Sequence, residues 1–368
     1  MNRNNLVPRA LSPAAVTYTL LATFCACDDS GSTDVVHQPG LPAPVSNNAV
    51  TTTNVGGREY VVSFAGLGAG KGHGDTLDAT FVLDSVTGHW RKSLPLPGGV
   101  GRLASIAASV GDLAYVFGGY TVEADGSEVS TPFVHSFDPR TNVYLELAAM
   151  PLPVDDSLAV TYQDRYIYLI SGWHDLGNVN LVQRYDTETN SWVQATPIPG
   201  NSLFGHAGGI VGDRMLYCDG VMIQAHSDQR RDFVMSNECF LGVIDESDSR
   251  RIDWRKMPSH PGLPRYRMAS AGIPSLNAVV FVGGSENPYN YDGIGYDGQP
   301  SEPASGGLFF DLESLSWQEV SVPGPASMDH RGLVPFGDRW LTVGGMLAGQ
   351  EVSNRVIAYD LIEDIDIH

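Results

Sequence analysis

Basic residues are scarce in this sequence. Lys and Arg number 22 against 42 Asp and Glu among 368 residues, so the formal net charge is -20. This balance opposes binding to nucleic-acid phosphates and to anionic membrane surfaces. We therefore expect no nucleic-acid partner, although a few arginines gathered in one pocket can still hold a small anionic ligand.

Cysteines are also few, and the common cofactor motifs are missing. The sequence has no metal-ligand spacing, no phosphate-binding loop and no nucleophile elbow, so we expect neither a metal nor another cofactor. Two of its 4 cysteines, Cys218 and Cys239, lie beyond residue 27. A hairpin can bring these two side chains opposite each other, and an oxidising compartment would permit a disulfide. The alternative is a pair of buried thiols.

A long apolar run is missing too, but the N-terminus carries a short one. Arg3 and Arg9 precede an apolar stretch over residues 10–26 that no acidic residue interrupts, which predicts an export signal over residues 1–27. The stretch is too short and too mixed for a membrane span. Its end resembles a bacterial lipoprotein cleavage site, with Cys27 as the lipidated residue. We expect a periplasmic or cell-surface protein, held at a membrane only by this lipid, with residues 28–40 as a tether.

Glycine and proline are abundant, at 41 and 23 residues, which indicates many turns between short elements. The same order of markers recurs: a small-residue pair after an apolar strand and an Asp that ends the next strand, six times, followed in the first five repeats by an aromatic residue and two prolines. The pairs are Ala65-Gly66, Gly118-Gly119, Ser171-Gly172, Asp219-Gly220, Gly283-Gly284 and Gly344-Gly345. The Asp residues are Asp84, Asp138, Asp186, Asp245, Asp311 and Asp360, and the aromatics after the first five are Trp90, Tyr144, Trp192, Trp254 and Trp317.

A repeat of roughly 50 residues with these markers is typical of a kelch-type β-propeller, in which each repeat is one blade of four antiparallel strands. The sequence therefore predicts an all-β, six-bladed propeller over residues 34–362. Glycine lets backbones approach each other near the axis. The aromatic residue on the outer strand is expected to cover the space between blades.

The sixth repeat ends without an aromatic residue or a proline pair. The missing ending is found in residues 35–44, which match residues 320–325. We therefore expect a strand near residues 35–38 to close the ring, with residues 363–368 as a tail. A closed ring has no free edge strands, which favours a monomer.

The repeats resemble the kelch superfamily over nearly all of residues 41–362. Within it, residues 66–70, 112–119, 204–208 and 283–287 resemble bacterial N-acetylneuraminate epimerases, which are periplasmic six-bladed sialic acid mutarotases. This resemblance implies a sugar pocket and an acidic residue after the second-strand glycine of the fourth blade, where this chain has Val221. An arginine of that family corresponds to Arg230 or Arg231.

Galactose oxidase also has a kelch propeller, with seven blades and a copper site. That site requires two His, two Tyr and a Tyr–Cys crosslink, ligands that suit copper. Neither Cys218 nor Cys239 is placed for such a crosslink. The sequence therefore argues against copper chemistry.

In a kelch ring, the loops before each first strand and after each second strand meet at one end of the channel. These loops carry Arg102, Tyr120, Asp155, Asp156, Trp173, His174, His206, Arg265, Tyr266, Arg267, Glu286, Asn287, Asp329, His330 and Arg331. The ligand-binding candidates are Arg102, Trp173, Arg265, Arg267, Glu286 and Arg331, because arginine forks hold carboxylates. The candidates for proton transfer at a sugar are His206, His330 and Asp156. The alternative for each residue is a structural role between blades.

Residues 287–298 interleave three tyrosines with Asn, Asp and Gly, a composition that favours either a recognition loop or an ordered cap. Two function classes remain open. One is a non-catalytic module at the cell envelope that binds a small acidic sugar, a peptide or an envelope protein. The other is a mutarotase-like sugar epimerase with an arginine-lined pocket. The sequence favours the first, because Val221 replaces the acidic residue that the resemblance implies.

Overall fold

The computed structural model describes residues 38–228 and 231–361. The predicted export signal with Cys27, residues 28–37 of the predicted tether and the predicted tail lie outside the described residues. The described part is built from β-strands, apart from three short 3-10 helices at His73–Asp75, Pro274–Leu276 and Ala348–Gln350. Among these residues, no helix is long and apolar enough to cross a membrane.

The first two blades are four-stranded antiparallel sheets. Blade 1 contains β1 (Ala49–Val55), β2 (Arg58–Leu67), β3 (Thr76–Asp84) and β4 (His89–Lys92). Blade 2 contains β5 (Ile106–Val110), β6 (Leu113–Phe117), β7 (Tyr120–Val122), β8 (Glu128–Ser130), β9 (Val134–Asp138) and β10 (Val143–Glu146). In blade 2, β7 and β8 pair with each other as a separate hairpin between the second and third strands of the sheet.

The next two blades repeat this plan, each with a four-stranded sheet and a hairpin. Blade 3 contains β11 (Leu158–Tyr162), β12 (Tyr166–Ile170), β13 (Trp173–His174), β14 (Gly177–Asn178), β15 (Val182–Asp186) and β16 (Ser191–Ala195). Blade 4 contains β17 (Ala207–Val211), β18 (Arg214–Cys218), β19 (Val221–Gln224), β20 (Asp232–Met235), β21 (Cys239–Asp245) and β22 (Asp248–Met257). The hairpins are β13–β14 and β19–β20.

The last two blades complete the ring. Blade 5 contains β23 (Ala269–Ile273), β24 (Ala278–Val282), β25 (Gly307–Asp311) and β26 (Ser316–Val320). Blade 6 contains β27 (Val334–Phe336), β28 (Arg339–Val343), β29 (Met346–Leu347), β30 (Glu351–Val352) and β31 (Val356–Tyr359). β29 and β30 form a hairpin. We call β7–β8, β13–β14, β19–β20 and β29–β30 the rim hairpins.

The repeat markers fall where the sequence predicts them, so the six-bladed kelch-type fold is confirmed. The small-residue pair ends or follows the second strand of each blade, and both of its residues have positive φ in all six blades. The five aromatics lie on the outer strands. For example, the indole N–H of Trp192 donates to the carbonyl of Ala148 at 2.8 Å and that of Trp317 to Pro258 at 2.8 Å. These bonds join each outer strand to the segment that precedes its blade.

The described residues of the sixth sheet form three strands, β27, β28 and β31. The strand predicted near residues 35–38 falls almost entirely outside the described residues, so ring closure by this strand stays a prediction. The segment directly after it does lie against blade 6, because the amide of Leu41 donates to Asn354 at 2.8 Å and that of Val45 to Ser353 at 3.1 Å.

Cys218 and Cys239 are joined in a disulfide and are fully buried. They face each other at the register pair where β18 meets β21. The bridge closes the base of the segment that carries the β19–β20 rim hairpin.

Candidate functional site

One residue per blade approaches the axis directly before the first strand. These residues, which we call the inner ring, are Asn47, Ala104, Asp156, Gly205, Arg267 and Asp329. All six have a left-handed backbone, with φ between 50° and 67°. Successive members are linked by backbone hydrogen bonds. The amide of Gly205 donates to the carbonyl of Asp156 at 2.8 Å, and the amide of Arg267 donates to the carbonyl of Gly205 at 2.9 Å. The inner ring therefore brings one residue from each of the six blades to one place.

Four charged side chains close the channel at the level of the inner ring. Arg267 Nη2 lies 2.5 Å from Asp156 Oδ2, and its Nη1 lies 3.0 Å from Asp329 Oδ1. Arg331 Nη2 lies 2.9 Å from Asp156 Oδ1, and its Nη1 lies 3.7 Å from Asp329 Oδ1. We call these four residues the plug. Each of their side chains is at most 3% exposed.

The plug is electrically balanced, with two carboxylates and two guanidinium groups. Burial raises the pKa of Asp156, but the charges of Arg267 and then Arg331 outweigh burial and leave that pKa below its usual value. Burial likewise lowers the pKa of Arg267, but Asp156 and other neighbours raise it well above the usual value. Both groups therefore stay charged near neutral pH. Removing one partner from such a buried pair costs about 3–5 kcal/mol, because a charge remains without compensation.

Two cavities meet at the plug and both contact Asp156 and Arg267. The first, of about 260 Å³, opens among the loops and rim hairpins, and we call it the rim pocket. The second, of about 310 Å³, runs between the first strands of the blades, and we call it the channel. The rim pocket has six aromatic residues, Tyr120, Trp173, Phe204, Phe233, Tyr291 and Tyr296. Its polar residues are Glu128, Asp155, Asp156, Arg231, Arg267 and Asn290.

Arg231 is the exposed cation of the rim pocket. Its guanidinium lies 4.9 Å from the ring centroid of Trp173 and 5.6 Å from that of Phe233, a geometry that suits cation–π attraction. One of its nitrogens donates to the carbonyl of Leu176 at 2.6 Å. Among residues 38–228 and 231–361, no carboxylate forms an ion pair with it. Arg231 is thus positioned but not neutralised, unlike Arg267.

Two carboxyl groups share one wall of the rim pocket. Ser130 donates to Asp155 at 2.7 Å, and Glu128 lies on the same face of β8 because side chains alternate along a strand. Burial raises the pKa of Asp155 well above its usual value, and the negative charges of Asp156 and Glu128 add to this effect. Partial desolvation in the pocket also raises the pKa of Glu128, against the opposing charge of Arg267. Asp155 therefore favours its neutral, proton-donating form.

The structure brings Asp156, Trp173 and Arg267 of the predicted site residues to the rim pocket. Arg102 borders neither cavity; its side chain is buried and donates to the carbonyl of Gly118 at 2.9 Å. Arg265 donates to carbonyls of the blade 5 loops, at 3.3 Å to Gly283 and 3.4 Å to Gly306. The arginines predicted as one cluster are thus divided between the plug and blade contacts.

The remaining candidates also have defined places. His206 and His330 border the channel rather than the rim pocket. Burial lowers the pKa of each to about 4, so both are neutral at pH 7. Arg331 belongs to the plug and borders the channel. Glu286 is exposed and borders neither cavity.

Several rim-pocket residues were not among the sequence candidates. Glu128 and Phe233 lie on rim hairpins, and Tyr291 and Tyr296 come from the tyrosine-rich insertion. This insertion also packs inward, because Tyr289 is fully buried and its ring lies 5.0 Å from that of Tyr266. The insertion is therefore part cap and part pocket wall. In the sequence, alternation of polar and apolar residues, as in Glu128-Val129-Ser130, is the pattern that indicates such hairpin strands.

In the described part of the chain, no group of three or more His, Cys, Asp and Glu residues is arranged to hold a metal ion. The rim pocket instead offers aromatic faces, carboxyl groups and one unpaired guanidinium. These are groups that bind an organic ligand by stacking and hydrogen bonding.

The blade plan, the positive-φ pairs and the inner ring together define a kelch-repeat β-propeller with a pocket at one end of its axis. Residues 157–199, which span most of blade 3, match the family model described as Kelch motif. The solved structure titled "Structure of YjhT" superposes with a TM-score of 0.66 at 16% identity, covering 87% of this chain and 95% of that one. This likeness concerns the fold alone.

Curated relatives include animal proteins. The chain is 22% identical to Kelch-like protein 15 of Homo sapiens over 69% of its length and 40% of that protein. It is 24% identical to Kelch-like protein 36 of Bos taurus over 57% of its length and 31% of that protein. The matches thus span 40% or less of these relatives. Matches of this extent do not assign the functions of the full-length relatives to this chain.

Proposed function

We propose that this protein is a binding module whose rim pocket takes a small sugar that carries a carboxylate. A single observation carries the proposal: Arg231 is held over two aromatic rings at the pocket and has no carboxylate partner among the described residues. A guanidinium binds a carboxylate through two parallel hydrogen bonds. The ligand's acid group would therefore complete an interaction that the protein leaves open.

The other walls suit the rest of a sugar. Trp173 is half-buried beside Phe204 and Phe233, with ring centroids 5.4 and 5.8 Å away, so its position is fixed by packing. A fixed aromatic face offers apolar contact area to a sugar ring at low entropic cost. Asp155, Glu128 and Asn290 supply hydrogen-bonding groups for hydroxyls. The pocket volume of about 260 Å³ is suited to one monosaccharide rather than to a folded partner.

The test is calorimetric titration of the full chain with N-acetylneuraminate, glucuronate and glucose. We expect Arg231→Gln to weaken binding of the two acids about 10- to 100-fold, since a hydrogen bond to a charged group contributes about 1.5–3 kcal/mol. Arg255→Gln, on the exposed outer strand of the same blade, is the matched control and should bind as the original chain does. Equal affinities for the two variants, or no binding of either acid by the original chain, would reject the proposal.

A second candidate function is a mutarotase-like sugar epimerase, favoured by the two carboxyl groups on one wall. A neutral Asp155 beside a more exposed Glu128 offers a proton donor and a proton acceptor in the same pocket. Mutarotation needs one proton delivered to the ring oxygen while another leaves the anomeric hydroxyl. Faster exchange between sugar anomers in NMR spectra, lost in Asp155→Asn, would favour this candidate over simple binding.

We further propose that the module acts at the cell envelope. The support is the signal-like pattern of residues 1–27 and the lipoprotein-like context of Cys27, both outside the described residues. An envelope protein or peptide remains the alternative ligand for the same rim. The predicted closure of the ring is the basis for proposing a monomer.

A further inference from the structure

The carboxylate of Glu128 is the anionic counterpart of Arg231 in the rim pocket, since both residues line it. Within the part of the chain that the structure describes, this carboxylate forms no hydrogen bond and no ion pair. The positive charge of Arg267 acts on Glu128, but Arg267 already pairs with the two carboxylates of the plug. The pocket therefore offers a ligand one anion and one cation that the described residues do not pair.

The strand register places Glu128 beside aromatic rings. Tyr120 pairs with Ser130 across the β7–β8 hairpin, and Glu128 lies two residues before Ser130 on the same face. Glu128 and Tyr120 are therefore diagonal neighbours, about 7–8 Å apart. Burial raises the pKa of Tyr120 and of Tyr291, and the negative charge of Glu128 raises both further, which shows that it acts on both rings. A carboxylate near aromatic rings suits a bound ammonium group, because the faces of such rings also attract cations.

The second carboxyl group on this wall does not take the place of Glu128. Asp155 accepts a hydrogen bond from Ser130 and favours its neutral form, since burial raises its pKa well above the usual value. Glu128 is exposed at the rim, so water supports its charged form. A ligand whose carboxylate binds Arg231 would therefore meet a repelling charge at Glu128, unless the ligand also carries a cation.

The tip of the blade 3 rim hairpin sets the spacing of the two charges. On the Glu128 side, the amide of Ser130 donates to Oδ1 of Asp175 at 2.8 Å. On the other side, Arg231 donates to the carbonyl of Leu176 at 2.6 Å. Asp175 and Leu176 are consecutive, so their Cα atoms are only about 3.8 Å apart. The two charged groups thus flank a single turn, and one small molecule in the pocket of about 260 Å³ can lie between them.

We propose that the ligand of the rim pocket carries a free ammonium group as well as a carboxylate, as an amino sugar acid does. This inference rests on the function proposed above and narrows its ligand class. The carboxylate binds Arg231, and the ammonium group binds Glu128 beside Tyr120 and Tyr291. Such a ligand brings no net charge into the pocket, and each of its charged groups forms a charge-assisted hydrogen bond.

The experiment is calorimetric titration of the full chain with three related sugars at about pH 6.5, below the usual pKa of an amine. Muramate carries a carboxylate and an amine, N-acetylmuramate keeps only the carboxylate, and glucosamine keeps only the amine. Muramate should bind about tenfold more tightly than either of the others, which is the effect of one hydrogen bond to a charged group.

Glu128→Gln keeps the shape of the side chain and removes its charge. This variant should bind muramate less tightly and N-acetylmuramate more tightly, because it loses the attraction for the ammonium group and the repulsion of the carboxylate. Glu123→Gln is the matched control, since Glu123 is exposed on the loop of the same hairpin and does not line the pocket. It should keep the preference for muramate. A preference that persists in Glu128→Gln would show that the size of the acetyl group is its cause, and the inference would be wrong.

Failure of this inference can be told apart from failure of the proposed function. Equal affinities for muramate and N-acetylmuramate, both weakened in Arg231→Gln, would overturn the ammonium site and leave the acid site standing. No binding of either acid, no effect of Arg231→Gln, or equal binding of glucosamine and muramate would reject the acid site, and the ligand class inferred here would be rejected with it.

Discussion

Charged residues near the axis of this propeller mostly neutralise each other. Arg267 and Arg331 both face Asp156 and Asp329 across the plug. Their charges are therefore used to join blades 3, 5 and 6. Arg231, at the edge of the rim pocket, is the exception that leaves a cation available to a ligand.

A second buried charge pair lies farther from the axis and makes stability depend on pH. His260 Nε2 lies 2.8 Å from Asp219 Oδ2, and its Nδ1 lies 2.6 Å from the carbonyl of Pro261. Both ring nitrogens thus face oxygen atoms, an arrangement that the imidazolium form satisfies. Burial lowers the pKa of His260, but the hydrogen bond and the charge of Asp219 outweigh it, so the net pKa is raised. Burial also raises the pKa of Asp219, so the folded pair holds protons more tightly than the unfolded chain.

This geometry predicts the direction of a pH effect. A raised folded pKa gives stability that is fully present below the unfolded value of about 6.5 and is lost as pH rises through the folded value. The free energy of unfolding should therefore fall as pH increases from about 6.5. His206 and His330, whose pKa values are lowered, contribute their pH dependence below 6.5 and do not interfere.

The measurement is urea unfolding at a series of pH values for the original chain and His260→Gln. The variant should be less stable at pH 6.5 and should show a shallower decline above that pH. His89→Gln, on the exposed strand β4, serves as the control. A parallel decline in His260→Gln and in the original chain would show that His260 is not its source.

The residue types of the site were predictable, but their pairing was not. The loop positions of Arg267, Arg331, Asp156 and Asp329 follow from the repeat, because every blade places its loops at the same end. Which arginine would be neutralised depends on angles around the ring, since Arg267 is 62 residues from Asp329 and 111 residues from Asp156 along the chain. The sequence therefore predicted an arginine cluster where the structure has a neutral plug.

Among the structural elements, the turn before the first strand of each blade has a tightly restricted backbone conformation. Gly205 in the inner ring has φ of 62°, and a Cβ at this position would lie 1.9 Å from Cε2 of Tyr266. Tyr266 in turn donates to Asp156 at 3.1 Å. The glycine thus lets the ring of Tyr266 reach the plug.

Gly205→Ala should destabilise the fold by about 2–5 kcal/mol. The left-handed backbone costs an L-residue about 1–2 kcal/mol, and displacing the packed ring costs about 1–3 kcal/mol more. Gly212 is the matched control, because it has φ of 61° but a Cβ added there would have no other atom within 4 Å. In chemical denaturation, Gly212→Ala should lower the free energy of unfolding only by the cost of the left-handed backbone, about 1–2 kcal/mol. Equal losses for the two variants would mean that Tyr266 does not constrain the inner ring.

The main sheets were predictable from the sequence and the rim hairpins were not. Each blade strand is marked by its own punctuation, such as Gly118-Gly119 after β6 and Asp138 at the end of β9. The rim hairpins have only two to four residues per strand and no repeated marker. Their positions are set by packing around the pocket, as when Phe233 stacks on Tyr296 with ring centroids 4.2 Å apart. These contacts join blade 4 to an insertion in blade 5.

The blades of residues 38–228 and 231–361 form a ring with a different chemical environment at each side of its plug. The rim pocket has aromatic faces and the guanidinium of Arg231, whereas the channel is lined by the first strands of the blades and ends at the balanced charges of the plug. The repeat explains the ring, since the same strand order is used in each blade. The differences between repeats, in the hairpins and the blade 5 insertion, explain why one side forms the rim pocket.

The most direct test of this account is a crystal structure of the full chain with N-acetylneuraminate. We expect the sugar in the rim pocket, with its ring against Trp173 and its carboxylate on Arg231. The plug should keep its ion pairs, because Arg267 and Arg331 are already neutralised. A sugar bound elsewhere, or a carboxylate held by Arg267 or Arg331 in place of their aspartates, would contradict the account.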